Sequence, residues 1–216
     1  VSGNTTIDIA AEPAVSLRNE PVQARSTARL TALLDAAASI VDEVGIERLT
    51  TAMVAERAGA SIGTVYRYFP DRIVLLQALG ARNFERVMVR LTDAINDPAQ
   101  SDWRGALSTA FSSVIDIYRI EPGFRGLRVG DQLDLRPLPN GRTHKSLVAE
   151  RLVEALSARF GVENSAASRF TLEAGLEMSD ALVARAFLMN PQGDEEFINV
   201  STSAVRGFIA EQIGWQ

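Results

Sequence analysis

The 216-residue chain is 46% hydrophobic and 23% charged, the balance of a soluble globular protein with core enough for one or two domains. Its net charge of −5 limits indiscriminate binding to nucleic acid. With no cysteine and one histidine it has no disulfide, no thiolate site and no multi-histidine metal site within one chain, and no apolar run is long enough to cross a membrane.

Taken in order, residues 1–22 are small and polar, with Gly3, Pro13 and Pro21, and read as a flexible arm. Arg18 and Arg25 leave open a second reading, an arm that enters a DNA groove. The start lacks the basic-then-apolar order of a signal peptide, which places the protein in the cytoplasm. From Thr27 to Val44, Leu30, Leu33, Leu34, Ala37, Ile40 and Val41 recur at helical spacing, and Gly45 ends the helix. Thr50 or Thr51 caps a second helix that runs to Ala58, with Val54 and Ala55 inward. Ala58-Gly59 makes a tight turn. Ser61 caps a third helix, Ile62 to Phe69, and Pro70 stops it. Val65 and Phe69 close a three-helix core. Two short helices joined by such a turn form a helix-turn-helix, whose second helix can lie in the major groove of DNA.

The third helix carries suitable chemistry. Gly63 and Thr64 are small and admit close approach, and the threonine methyl can meet a thymine methyl. Arg67 can pair bidentately with guanine, and Tyr66 has a long side chain with a polar end. The Tyr68 hydroxyl can reach a phosphate. Ser61 and Ile62, at the helix start, complete the candidate DNA-facing set. Residues 18–72 hold seven arginines and seven acids, so positive charge has to come locally, from Arg25, Arg29, Arg67 and Arg72. The run Ala58-Gly59-Ala60-Ser61-Ile62-Gly63-Thr64-Val65-Tyr66-Arg67-Tyr68-Phe69-Pro70-Asp71-Arg72 resembles the signature of the TetR family of bacterial transcriptional regulators. The resemblance implies phosphate contacts from Thr50 and Thr51. It also puts Arg72 where the family has a phosphate-binding lysine, and an arginine keeps that charge.

Beyond Pro70, Asp71 caps a long helix to about Asn96, with Ile73, Leu76, Leu79, Phe84, Val87, Met88, Leu91 and Ile95 on its inner side. At roughly 1.5 Å per residue it is about 40 Å long, enough to link a small DNA-reading unit to a larger body. Helices follow at Asp102–Ile120, Phe124–Gly130, Arg142–Phe160, Ser165–Met189 and from about Asp194 to Ile213, giving about nine in all. Residues 131–140, with Pro137, Pro139 and Asn140-Gly141, are the least regular.

Two further surfaces are candidates. Phe84, Met88, Trp103, Phe111, Tyr118, Phe124 and Leu147 are either plain core or the lining of a pocket, with His144 as a polar contact or a surface residue. The family resemblance favours a small-molecule inducer pocket. In the last two helices small residues alternate with aromatics: Phe170, Ala174, Ala181 and Leu182, then Phe197, Ser201, Ala204, Val205 and Phe208. They suit close helix packing within one chain or across a two-fold axis. The resemblance implies a homodimer through an antiparallel four-helix bundle of these helices.

The sequence thus predicts an all-α protein: an arm (1–22), a three-helix helix-turn-helix DNA-binding domain (23–72) and a helical ligand-binding and dimerisation domain (73–216). The predicted function is a homodimeric repressor that leaves its two-fold operator on binding a small organic inducer, with no metal, cofactor or catalytic residue. The alternatives are a regulator controlled by a protein partner and a small α-helical enzyme. For the latter the sequence offers only carboxylates at helix-surface spacing, Glu173 and Glu177.

Overall fold

The computed structural model describes residues 20–127 and 141–213, and within them every regular element is helical. Short polar side chains set most of the helix starts. α1 (Glu20–Val44) ends at Gly45, whose φ of 84° suits a residue without Cβ. After a 3-10 turn at Ile46–Arg48, the Thr50 hydroxyl accepts from the Met53 N–H and opens α2 (Thr51–Arg57). Ser61 does the same for α3 (Ile62–Tyr68), and Asp71 for α4 (Arg72–Asn96). Asp102 caps α5 (Trp103–Ile120). Thr143 and Ser146 form a reciprocal box at α6 (His144–Phe160), Ser165 caps α7 (Ala166–Phe187), and Glu195 and Glu196 open α8 (Glu195–Ile213). Each such cap is worth about 1 kcal/mol.

Eight α-helices are thus described, and two departures from the sequence reading are informative. α1 begins at Glu20, not Thr27. Gln23 to Arg29 are all exposed, so no buried stripe marks this first part, although Gln, Ala and Arg favour helix. Residues 1–19 of the expected arm lie outside the described residues. The expected helix at Phe124–Gly130 is, as far as Leu127, one hydrogen-bonded turn, in which the Leu127 N–H donates to the Gly123 carbonyl. Residues 128–140 lie outside the described residues.

Two cores share α4. The first gathers Leu33, Ala37 and Ile40 of α1, Val54 of α2, Val65 and Phe69, and Leu75, Leu76 and Leu79 of α4. The second takes Val87, Leu91 and Ile95 farther along α4, with Leu107, Leu152, Leu156, Leu172, Val205 and Ile209 from α5 to α8. Fully burying each of the larger of these side chains, Val, Leu, Ile or Phe, is worth about 1.5–3 kcal/mol. Ile73, expected inward, is exposed, while Leu75, two residues on and therefore on the far side of the same turn, is fully buried in the first core.

The Glu121–Leu127 segment clasps the two parts together. Leu127 enters the first core although it follows α5 in sequence. Gly126 lies so close to α1 that a Cβ would stand 2.6 Å from Val41 Cγ1. Arg125 pairs with Asp42 of α1 and donates to the Tyr118 carbonyl. Asn83 of α4 donates to the Leu127 carbonyl, and Arg86 pairs with Glu121. No helix among the described residues is long and apolar enough to cross a membrane.

Candidate nucleic-acid interface

α3 has two unlike faces. Val65 and Phe69 are sealed in the first core, while Ile62, Gly63, Tyr66 and Arg67 are exposed, Tyr66 at 51%. A Cβ at Gly63 would meet only Ser61 Oγ, at 4.0 Å, so this side of the helix is open. Thr64 is half-buried, with its hydroxyl 2.9 Å from Ser61 Oγ. The two tyrosines are steered by neighbouring helices. Tyr66 accepts a long bond from Thr51 Oγ1, and the Tyr68 hydroxyl lies 3.1 Å from Ser26 Oγ on α1. Thr51 and Ser26 thereby set tyrosine orientation, a role that spacing alone does not reveal.

The local cations divide into two kinds. Arg57 is committed within the chain: both guanidinium ends reach Glu43 at 2.7 Å, and one also reaches Ser39. These bonds from Arg57 hold the Glu43 carboxyl below its ordinary value and push the guanidinium above its own. Arg25 and Arg29 of α1 and Arg67 of α3 instead stand exposed along one open groove between the two helices, with Tyr68 and Thr64 in its wall. Arg72 is exposed at the start of α4 and donates one N–H to the Ile46 carbonyl at 2.8 Å. Thr50 is exposed at the start of α2, its hydroxyl used as that helix's cap.

A second candidate site is a cavity of about 70 Å³ enclosed by α4, α5, α6 and α7. Phe111 and Tyr118, expected in a pocket, are in its wall with Val87 and Leu91. The other six expected lining residues are placed elsewhere. Phe84 and His144 meet edge-to-face at 5.3 Å, Met88 packs on the second core, and Leu147 is half-buried. Phe124 is fully buried against Tyr118, and Trp103 borders a separate small crevice. Besides the Tyr118 hydroxyl, the polar groups of the wall are Lys145, Ser179 and Asp180, none of these three on the expected set. Lys145 is the sole lysine in a chain of 22 basic residues, the one sequence signal that could have singled it out.

On α7 and α8, Phe170 is 68% exposed, Ala181 and Ala204 are exposed, and Ala174, Leu182, Phe197 and Phe208 are half-buried. Ser201 and Val205 belong to the seam within the chain instead. Ser201 lies beside Ser179, and Val205 packs against Gly175 where the two helices approach closely. Among the described residues no cluster of three His, Cys, Asp or Glu side chains could hold a metal ion.

Comparison with known proteins agrees with this arrangement. The model of bacterial regulatory proteins of the tetR family matches residues 33–79, and that of the tetracyclin repressor-like C-terminal domain matches residues 101–210. A TetR-family transcriptional regulator from Streptomyces coelicolor is 35% identical, with 87% of this chain and 98% of that one covered and a TM-score of 0.73. The HTH-type transcriptional repressor KstR of Rhodococcus jostii is 44% identical over 55 residues, 26% of each protein. The nucleoid occlusion factor SlmA of Haemophilus ducreyi is 31% identical over 124 residues, 56% of this chain and 58% of that protein. The chain therefore spans about a quarter of the one curated relative and just over half of the other. With both halves of the helical body matched and a full-length structural relative, the chain belongs to the TetR family of bacterial transcriptional regulators, a family of DNA-binding proteins and not of enzymes.

Proposed function

We propose that the chain acts in the cytoplasm as a homodimeric repressor that reads a two-fold operator through α3 and leaves it when a small organic molecule enters the cavity between α4 and α7. The observation that carries the reading is the split surface of α3: Val65 and Phe69 fix the helix, and Tyr66 and Arg67 are exposed on its other side. A rigid short helix with exposed polar ends is what base-edge readout needs. Ser61, Ile62, Gly63, Thr64 and Tyr68 complete the DNA face. Arg25, Arg29 and Arg72, with the hydroxyls of Thr50 and Thr51, supply phosphate contacts around it. In this division residues 23–72 bind DNA, and residues 73–216 bind ligand and pair the subunits.

Repression is supported by the segment shared with KstR, a repressor by name. Pairing is supported by exposed Phe170 and Val200 and by small, exposed Ala181, Ala204 and Gly207 on α7 and α8. Ligand response is supported by the apolar cavity, and works as a shift between two populations, only one of which matches the half-site spacing. Selection of bound fragments from a random DNA pool tests the reading. An inverted repeat is the expected product, and a pool that yields no enriched sequence would overturn it. Control by a protein partner keeps the same DNA face. It is distinguished by operator binding that no cavity-sized molecule weakens.

A further inference from the structure

The chemistry of the cavity wall narrows what can enter it. Most of the wall is hydrocarbon: Val87, Leu91, Phe111, Val114 and Val183. The polar end is a single cluster. Lys145, the first residue after the His144 start of α6, reaches across to α7, where its Nζ lies 2.6 Å from Glu177 and 3.0 Å from Asp180. Its side chain is only 18% exposed. Burial alone disfavours the ammonium, but the bonds to Glu177 and Asp180 outweigh that and hold its pKa above the ordinary lysine value, so it is charged at neutral pH. An ammonium has three N–H donors, and the two carboxylates take two of them. Tyr118 and Ser179 bring the hydroxyls of the wall, and Ser179 shares its proton with Ser201 Oγ at 3.2 Å.

Within the wall Lys145 and Asp180 balance one another, and the extra negative charge, on Glu177, lies outside the lining on a side chain 54% exposed to solvent. An anionic head group would bring another negative charge up to Glu177 and Asp180. A cationic one would stand against Lys145. Both would also give up water for a mostly apolar wall. An uncharged oxygen avoids these costs and satisfies the remaining ammonium proton. Size sets a second limit. At about 70 Å³ the cavity is well below the roughly 300–1,000 Å³ of sites for drug-sized ligands. We propose that the cavity selects a compact, uncharged, mostly hydrocarbon molecule bearing one hydrogen-bond acceptor, a carbonyl or hydroxyl oxygen, that is held by the third N–H of Lys145. This rests on the reading of the cavity as the ligand site. Entry of even a single ring requires the partly buried Phe111 and Val114 to give way.

Four one-ring probes on the full chain test it: toluene with no polar group, acetophenone with a neutral acceptor, benzoate as an anion and benzylammonium as a cation. Because Lys145 is the only lysine, labelling with [¹³C, ¹⁵N]lysine yields one side-chain NMR signal that needs no assignment. Acetophenone is expected to bind about ten- to a hundredfold more tightly than toluene, the effect of a hydrogen bond to a charged donor. It should also bind more tightly than either ion, and shift the Lys145 signal in step with saturation. K145M should erase the preference for acetophenone over toluene. The NMR comparison on the parent protein stands even if that variant unfolds. Tighter binding of benzoate or benzylammonium, equal binding of toluene, or a Lys145 signal unmoved by bound acetophenone would each overturn the inference and leave the ligand site standing. Failure of all four probes to bind would overturn the inference together with the ligand site it rests on.

Discussion

Gly207 gives the sharpest test of subunit pairing. It lies in the middle of α8, is exposed, and a Cβ added there would meet nothing within 4 Å. Nothing within one chain calls for a glycine here, yet a mid-helix glycine costs about 0.8–1.0 kcal/mol relative to alanine. In an isolated chain, Gly207→Ala should therefore stabilise the fold by about 1 kcal/mol. If a second copy crosses α8 at this point, the added methyl meets its backbone or side chains and costs about 1–3 kcal/mol by overpacking. A two-fold interface presents the position twice, so each dimer carries the penalty for both methyls. The two readings differ in sign, which makes the variant more decisive than one at Phe208. That ring packs partly on the second core, so a charge there would confuse unfolding with dissociation. Sedimentation equilibrium over a dilution series should show the dissociation constant of G207A raised at least about tenfold, as 1.4 kcal/mol would give. A variant that associates like the parent and is merely more stable would show that no partner approaches Gly207.

Other substitutions test the remaining parts. Arg67→Ala should cost about 1–3 kcal/mol in operator affinity and relax preference at one base pair of each half-site, as read by competition with substituted operators. Arg72→Ala should weaken all DNA sequences alike and flatten the salt dependence by about one unit. Phe111→Trp should fill the cavity, abolishing ligand release of DNA while sparing operator binding; with no usable cavity it would instead overpack the body by about 1–3 kcal/mol in chemical denaturation. Gly126→Ala should destabilise by a similar amount, because its Cβ would stand 2.6 Å from buried Val41. Lys145 has a folded pKa above its unfolded value, so its stabilising pairs are intact below about pH 10.5 and lost as the pH rises through the folded value. Alkaline unfolding should therefore be steeper in the parent than in K145M.

Local features of the fold were legible because local chemistry decides them. Thr50, Ser61, Asp71 and Asp102 each accept a bond from the N–H of the first helical turn, and such caps can be read from residue type and place. The inner faces of α1 and α4 were legible from their period. The first part of α1 was not, because an exposed helix leaves no apolar stripe. At the site, exposure of Tyr66 and Arg67 followed from Val65 and Phe69 lying on the opposite side of one short helix. Tyr68 did not follow: its bond to Ser26 joins residues 42 apart.

The cavity and the clasp were hidden for the same reason. Phe84, Trp103 and Phe124 have the residue types of a pocket lining, but type says only that a side chain is buried, not what it is buried against. Which apolar residues border a void depends on how α4 to α7 cross, and there the polar Lys145 and Asp180 mattered as much as the aromatics. The Glu121–Leu127 segment makes the point from the other side. Read locally, it resembles the start of another helix. In the fold its turn carries Leu127 into the first core, while Tyr118, just before it, lines the cavity and offers its carbonyl to Arg125, which is paired with Asp42 of α1. Under the proposed function, a ligand that displaces Tyr118 presses on a segment with no slack against α1. Gly126 is in close contact there, and packed interfaces of this kind move as units and do not deform gradually.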